Sequence, residues 1–166
     1  MKTQFLPLIG PLLGLGLAAM AAAQPAATAV TAAPKENPVM KASGTFEVKL
    51  TPQTTAEGLG RMTIDKTFAG ELEGSSQGEM LSAMGTVKGS AGYVAIERVS
   101  GKLGGKSGSF VLQHTGTMNR GVPSLTVTVV PDSGTGELSG LAGNLTIRIE
   151  GGQHFYDFEY TLSPNP

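Results

Sequence analysis

From Ala42 onward the apolar residues recur at every second position, the period of a strand with one buried face. Phe46, Val48 and Leu50 alternate with Glu47 and Lys49, and this first strand ends near Pro52. Leu59 to Phe68 sets Met62, Ile64 and Phe68 against Arg61, Thr63 and Asp65. Gly70 to Val87 is longer and interrupted by glycine, with Leu72, Met80 and Leu81, and predicts a third strand carrying a bulge. Gly92 to Leu103 and Ser107 to Met118 form the next pair. Val122 to Val130 is the sixth strand, Leu138 to Glu150 the seventh and Gln153 to Leu162 the eighth. No segment keeps a helical apolar period for three turns, although Ser139 to Gly143 suits one helical turn before strand seven resumes.

Eight short antiparallel strands fit a closed up-and-down barrel or a two-sheet sandwich. Glycine favours the barrel. Of 24 glycines, Gly10, Gly14 and Gly16 precede residue 24, which leaves 21 in the remaining 143 residues, about twice the usual share. Scattered through strands, they supply the bends that closure needs. The expected fold is an all-β, eight-stranded antiparallel barrel.

Turn positions assign faces, because directly opposed residues of an antiparallel pair share one side of the sheet. A turn at Gly104-Gly105 opposes Val99 to Phe110, Glu97 to Leu112, Ala95 to His114 and Tyr93 to Gly116. A turn centred on Asn119-Arg120 then sets His114 against Leu125, Leu112 against Val127 and Phe110 against Val129, with Thr126 and Thr128 on the other face. Across Gly151-Gly152, Ile149 meets His154, Ile147 meets Tyr156 and Leu145 meets Phe158, leaving Arg148, Asp157 and Glu159 outward. One apolar interior satisfies all of these pairings.

The ends of the chain read differently. Lys2 is followed by an uncharged apolar run from Phe5 to Ala19 and by Ala21-Ala22-Ala23, the pattern of a signal peptide cut after Ala23. The run is shorter than the roughly 20 residues that cross a bilayer, so no stable membrane span is expected after cleavage. Residues 24–41 are rich in alanine and proline and have neither period, as in a disordered leader. The barrel domain is placed at 42–162 and a short tail at 163–166. Export follows, to the periplasm or the medium.

Charge and cysteine content then narrow the function classes. Without Lys2 the chain carries 11 Lys plus Arg against 13 Asp plus Glu, and it has no basic stripe interleaved with aromatics, so no nucleic-acid partner is expected. The absence of cysteine excludes thiol catalysis and iron–sulfur or cysteine–zinc sites. Two histidines without ligand spacing predict no metal, and no cofactor motif is present. Ser100 to Ser107 looks like a phosphate loop, but Ser100 stands where glycine is required and a strand, not a helix, follows. It reads as a hairpin turn. Ser133-Gly134-Thr135-Gly136 is likewise a turn cluster.

The residues that carry chemistry are Glu97 and His114, diagonal neighbours on the apolar face with Tyr93 nearby. A carboxyl in an apolar lumen has its pKa raised by desolvation, and a neighbouring imidazole is able to share its proton, which is acid–base chemistry. The structural alternative is a pair satisfied by each other. Tyr93, Phe110, Leu112, Val127 and Tyr156 are expected to wall a ligand site, unless the lumen is filled by its own Phe110, Leu112, Val127, Ile147 and Phe158. His154 belongs at a rim.

The run from Glu97 through Gly101-Lys102-Leu103-Gly104-Gly105-Lys106 to His114, with Ser133-Gly134-Thr135-Gly136-Glu137-Leu138-Ser139-Gly140-Leu141-Ala142-Gly143 after it, resembles a bacterial family known as a domain of unknown function. The resemblance covers about Lys41 to Leu162. It implies a barrel of the allene oxide cyclase type, and the second segment is also similar to a loop of dirigent proteins. It implies no mechanism and assigns no residue a role. Three functions are therefore expected in order: a lumen that holds a small apolar ligand, a cofactor-independent isomerase or cyclase using Glu97 and His114, and a homo-oligomeric assembly module whose outward Val94, Ile96 and Val111 make the contact.

Overall fold

The computed structural model describes residues 37–163. The expected signal peptide, most of the leader and the last residues of the tail lie outside them. Eight strands, β1 (Met40–Gln53), β2 (Leu59–Gly70), β3 (Leu72–Met84), β4 (Ala91–Leu103), β5 (Lys106–Asn119), β6 (Val122–Val129), β7 (Leu141–Glu150) and β8 (Gln153–Leu162), close into one antiparallel barrel in sequence order. β1 starts two residues ahead of the expected boundary, because Met40 and Lys41 already pair with Tyr160 and Glu159 of β8.

Two-residue glycine turns set the registers. Gly104 and Gly105 both take positive φ, as do Gly151 and Gly152, the geometry that matches the twist of a tight hairpin. The β4–β5 and β7–β8 pairings come out as expected, with Glu97 opposite Leu112 and Ile147 opposite Tyr156. The β5–β6 turn is different. It sits on Arg120-Gly121, one residue later than expected, because Arg120 takes the left-handed conformation before Gly121. His114 therefore opposes Val127, and Leu112 opposes Val129. A shift of two residues preserves the face, so the interior is unchanged.

Two further expectations are corrected. β3 carries no bulge: its register runs without a break from Leu72 to Met84 against β4, and Gly74 and Gly78 instead let the β4 backbone approach closely, where a Cβ would strike it. The helical turn is a 3-10 turn at Gly136–Leu138, ahead of Ser139, so Leu138 precedes β7 instead of starting it.

The segment before β7 explains the Ser-Gly-Thr-Gly-Glu run. β6 pairs with β5 only from Leu112 to Asn119. Beyond that point the free N–H groups of β5 go to the loop: Val111 N donates to Ser133 Oγ, Ser109 N to Thr135 Oγ1 and Ser107 N to the Glu137 carboxylate, at 3.0, 3.0 and 2.8 Å. Thr135 N in turn donates to Ser109 O at 2.8 Å. The run thus closes a sheet edge that would otherwise be unpaired. It also drops Leu138, fully buried, into the end of the barrel.

The barrel has two unlike halves. The half nearest Leu138 is packed solid by Leu72, Val99, Leu103, Phe110, Leu112, Tyr156 and Phe158, each at most 1% exposed. Tyr156 Oη accepts the Leu72 N–H at 2.8 Å, which settles a buried donor at the β2–β3 turn. At the other end the inward positions Leu50, Leu125 and Ile149 are 46%, 41% and 64% exposed, so the lumen opens to water. β6 and β7 meet in a single pair, Thr128 with Asn144, and toward the open end no ladder joins Leu125 to Ile147 or Ile149.

Candidate functional site

The boundary between the two halves is polar. Lys66 on β2, Ser76 on β3, Glu97 on β4 and His114 on β5 point inward from four consecutive strands and are between 0% and 8% exposed. Each occupies the inward phase of its strand: Lys66 lies between Ile64 and Phe68, and Ser76 sits directly opposite Lys66. Gly78 makes this arrangement possible. It faces Glu97 across the β3–β4 ladder, and a Cβ there would meet the Ile96 carbonyl and stand 2.6 Å from Glu97 Cα and Cβ. Only glycine leaves room for the Glu97 side chain to cross β3.

Glu97 is the hub. Lys66 Nζ donates to its Oε1 at 2.7 Å, His114 Nε2 lies 3.0 Å from the same oxygen, and Ser76 Oγ donates to Oε2 at 2.9 Å. Burial on its own pushes the carboxyl up strongly. The hydrogen bond from His114 and the charge and hydrogen bond of Lys66 outweigh that and hold it down to about 2. The expected upward shift is thus reversed, by His114 and Lys66 together. Glu97 is a fixed anion, not a proton donor, at neutral pH.

A carboxylate only accepts hydrogen bonds, so His114 must carry its proton on Nε2. Its other nitrogen faces a different environment. Among the described residues no group partners Nδ1, and no polar side-chain atom there is both buried and unpaired, so Nδ1 opens onto the lumen. The Lys66 ammonium stands 5.0 Å from the centre of the Phe46 ring and 5.9 Å from that of Phe68, which adds cation–π attraction to its ion pair.

Above this floor is a cavity of about 190 Å³ with Lys66 and His114 in its base and Phe46, Ile64, Ala95 and Ile147 in its walls. A neighbouring cavity of about 280 Å³ shares Met80, Tyr93 and Leu125 with it and extends over Gly92 and Gly116. Tyr93 lies over Gly116, where a Cβ would strike its ring. Burial, and secondarily the charge of Glu97, push the Tyr93 hydroxyl up, so it remains a donor. His154 stands at the mouth with its ring 5.0 Å from Phe46. A larger depression of about 780 Å³ follows β1 beside the β7–β8 turn and reaches none of Lys66, Glu97 and His114.

The structure therefore joins Glu97 to His114 as the register required and sets Tyr93 beside them. It separates the other expected wall residues from the cavity. Phe110, Leu112, Val127 and Tyr156 are core: Leu112 and Val127 stand beside the polar layer, opposite Glu97 and His114, but none of the four lines the cavity, and Phe110 packs on Phe158 and Tyr156 edge-on against Phe68, each at 5.8 Å. Ile147, expected as filler, lines the cavity instead. Lys66 and Ser76 were missed. The signal for Lys66 was present, a charged residue in phase with Ile64 and Phe68, but a lysine is ordinarily assigned to solvent.

The model of the family described as "Protein of unknown function (DUF3224)" matches residues 42–160. No curated protein matches significantly. Among solved structures, a protein of unknown function from the same family in Shewanella oneidensis MR-1 is 58% identical, with 77% of this chain and all of that chain aligned and a TM-score of 0.73. On the family match over 42–160, this eight-stranded barrel belongs to the DUF3224 family.

Proposed function

We propose that this protein binds a small hydrophobic molecule in the open half of its barrel, with the polar layer as the floor of the site. The observation that carries this reading is an apolar cavity of about 190 Å³ with an imidazole nitrogen at its base that has no partner among the described residues. An apolar cavity of about 150 Å³ is enough to take up benzene, so the volume suits a ligand of one ring or its aliphatic equivalent. The exposed apolar mouth, Leu50, Leu125 and Ile149, gives such a molecule a non-polar approach. The signal-peptide pattern of residues 1–23 supports binding outside the cytoplasm. Native mass spectrometry of the protein from its host's exported fraction, followed by organic extraction, tests this. A stoichiometric lipophilic mass is the expected result. A clean unliganded mass, together with no uptake of an apolar fluorescent probe, overturns it.

One observation favours a second reading as an isomerase or cyclase. Glu97 holds Nε2 of His114 while Nδ1 faces the cavity, the arrangement in which a carboxylate orients an imidazole base. In that reading His114 moves the proton and Glu97 positions it, so Glu97→Gln lowers turnover while binding stays nearly intact. Self-association has its own support in outward Leu81, Val94 and Ile96, 45%, 53% and 51% exposed. A monomer by sedimentation at high concentration removes it.

A further inference from the structure

We propose that the lumen is selective for a compact monocarboxylic acid, about the size of benzoate, bound head-first on the Lys66–His114 floor. This rests on the ligand-binding reading above and adds to it the chemistry of the head group.

The donors and acceptors left over at the floor define that group. Glu97 is fully engaged, with Lys66 and His114 on Oε1 and Ser76 on Oε2, and so offers nothing to a ligand. Lys66 has three N–H bonds, and among the described residues only Glu97 accepts one of them. His114 Nδ1 has no partner there, and it accepts from a ligand or, when it carries a proton, donates to one. Lys66 and His114 bond the same oxygen, so the spare donor and the spare acceptor stand side by side under one cavity. The complement is a head with an O–H beside a carbonyl oxygen. A carboxylic acid has both on one carbon, whereas an alcohol satisfies one contact at a time.

Charge selects the acid over the amide of the same shape. Lys66 and Glu97 cancel, so a bound carboxylate is balanced by a proton on the ligand oxygen or on Nδ1. Either way the buried group is neutral overall, and with the proton on Nδ1 both contacts become charge-assisted, roughly twice the strength of neutral ones. The titratable side chains facing His114 across the cavity are Lys66, Glu97, Tyr93 and, at the mouth, His154. Apolar Phe46, Ile64, Ala95 and Ile147 leave a slot for the body of the molecule.

The test is isothermal titration of the full chain with benzoate, benzamide and benzyl alcohol at pH 7. Benzoate is expected to bind about tenfold or more tighter than the other two. His114→Leu is expected to abolish that preference. Ile147→Trp fills the slot without touching the polar layer and is expected to abolish binding of all three. Equal affinities overturn the carboxylate assignment and leave the lumen reading standing. Failure of all three probes and of an apolar dye to bind overturns both.

Discussion

The two halves of this barrel are made from the same eight strands by the same alternation, yet one is a core and the other a vessel. In the closed half the inward residues are large and meet across the axis, Phe110 with Phe158 and Tyr156 with Phe68, and the Leu138 turn shuts the end. In the open half the inward positions are Ala95, Gly116, Ile147 and Ile149, too small or too near the mouth to meet. An eight-stranded barrel is just wide enough for side chains to fill, so a few small residues decide whether a layer is solid. The Lys66–Glu97–His114 layer divides the halves. It keeps the apolar packing below from continuing upward and gives the cavity a polar base.

Truncations on the two sides of the layer should therefore differ. Phe110→Ala leaves a void in a half that has no slack and is expected to cost about 3–5 kcal/mol of unfolding free energy. Denaturant midpoints compare it with Ile147→Ala, whose side chain already borders space and whose loss is expected to cost less than half as much. Equal losses would mean that the open half collapses around its cavity.

The dividing layer has a signature in acid. Glu97 is held down to about 2 in the folded protein, against 4.5 for an ordinary glutamate. A depressed carboxyl contributes stability that is present above the ordinary value and lost as pH falls toward the folded one. The window is thus pH 4.5 down to about 2, and the loss there is on the order of 3 kcal/mol. Glu97→Gln is expected to flatten that part of the acid limb. It also lowers stability at pH 7 by about 3 kcal/mol or more, because Lys66 is left buried without its anion. Chemical denaturation of both proteins at pH 7, 4.5 and 2.5 checks this.

Period-two alternation and glycine turns made the fold legible. Gly104-Gly105 and Gly151-Gly152 each imposed one register, and the Glu97–His114 pairing followed from the first. The β5–β6 turn was misplaced because Arg120, not a glycine, takes the first left-handed position. The site was only half legible, for a different reason. Alternation fixes which face a residue takes but not whether that face borders open space. Phe110, Leu112, Val127 and Tyr156 face inward yet line no part of the cavity, although Leu112 and Val127 pair directly with Glu97 and His114. Lys66 faces inward and lines it, and ordinary expectations about lysine hid it. Its burial depends on an anion two strands away, on β4.

In the closed half, Tyr156→Phe removes one oxygen and leaves the Leu72 N–H unpaired in a place water does not reach. An expected loss of about 1–3 kcal/mol follows, read from the denaturant midpoint, with no change in ligand affinity.

The smallest effect on stability is expected at the mouth, and it isolates function from folding. Ile149 faces inward by register, opposite His154, yet is 64% exposed because β7 has no ladder to β6 at that level. Folding gains little from it, so Ile149→Ser should change stability by no more than about 0.5 kcal/mol. If the apolar mouth serves as the approach to the lumen, the same substitution slows association of an apolar probe, and stopped-flow fluorescence reads that rate directly. An unchanged rate would detach the mouth from the site, and would leave the exposed ring of Leu50, Leu125 and Ile149 to be explained by another surface laid against it.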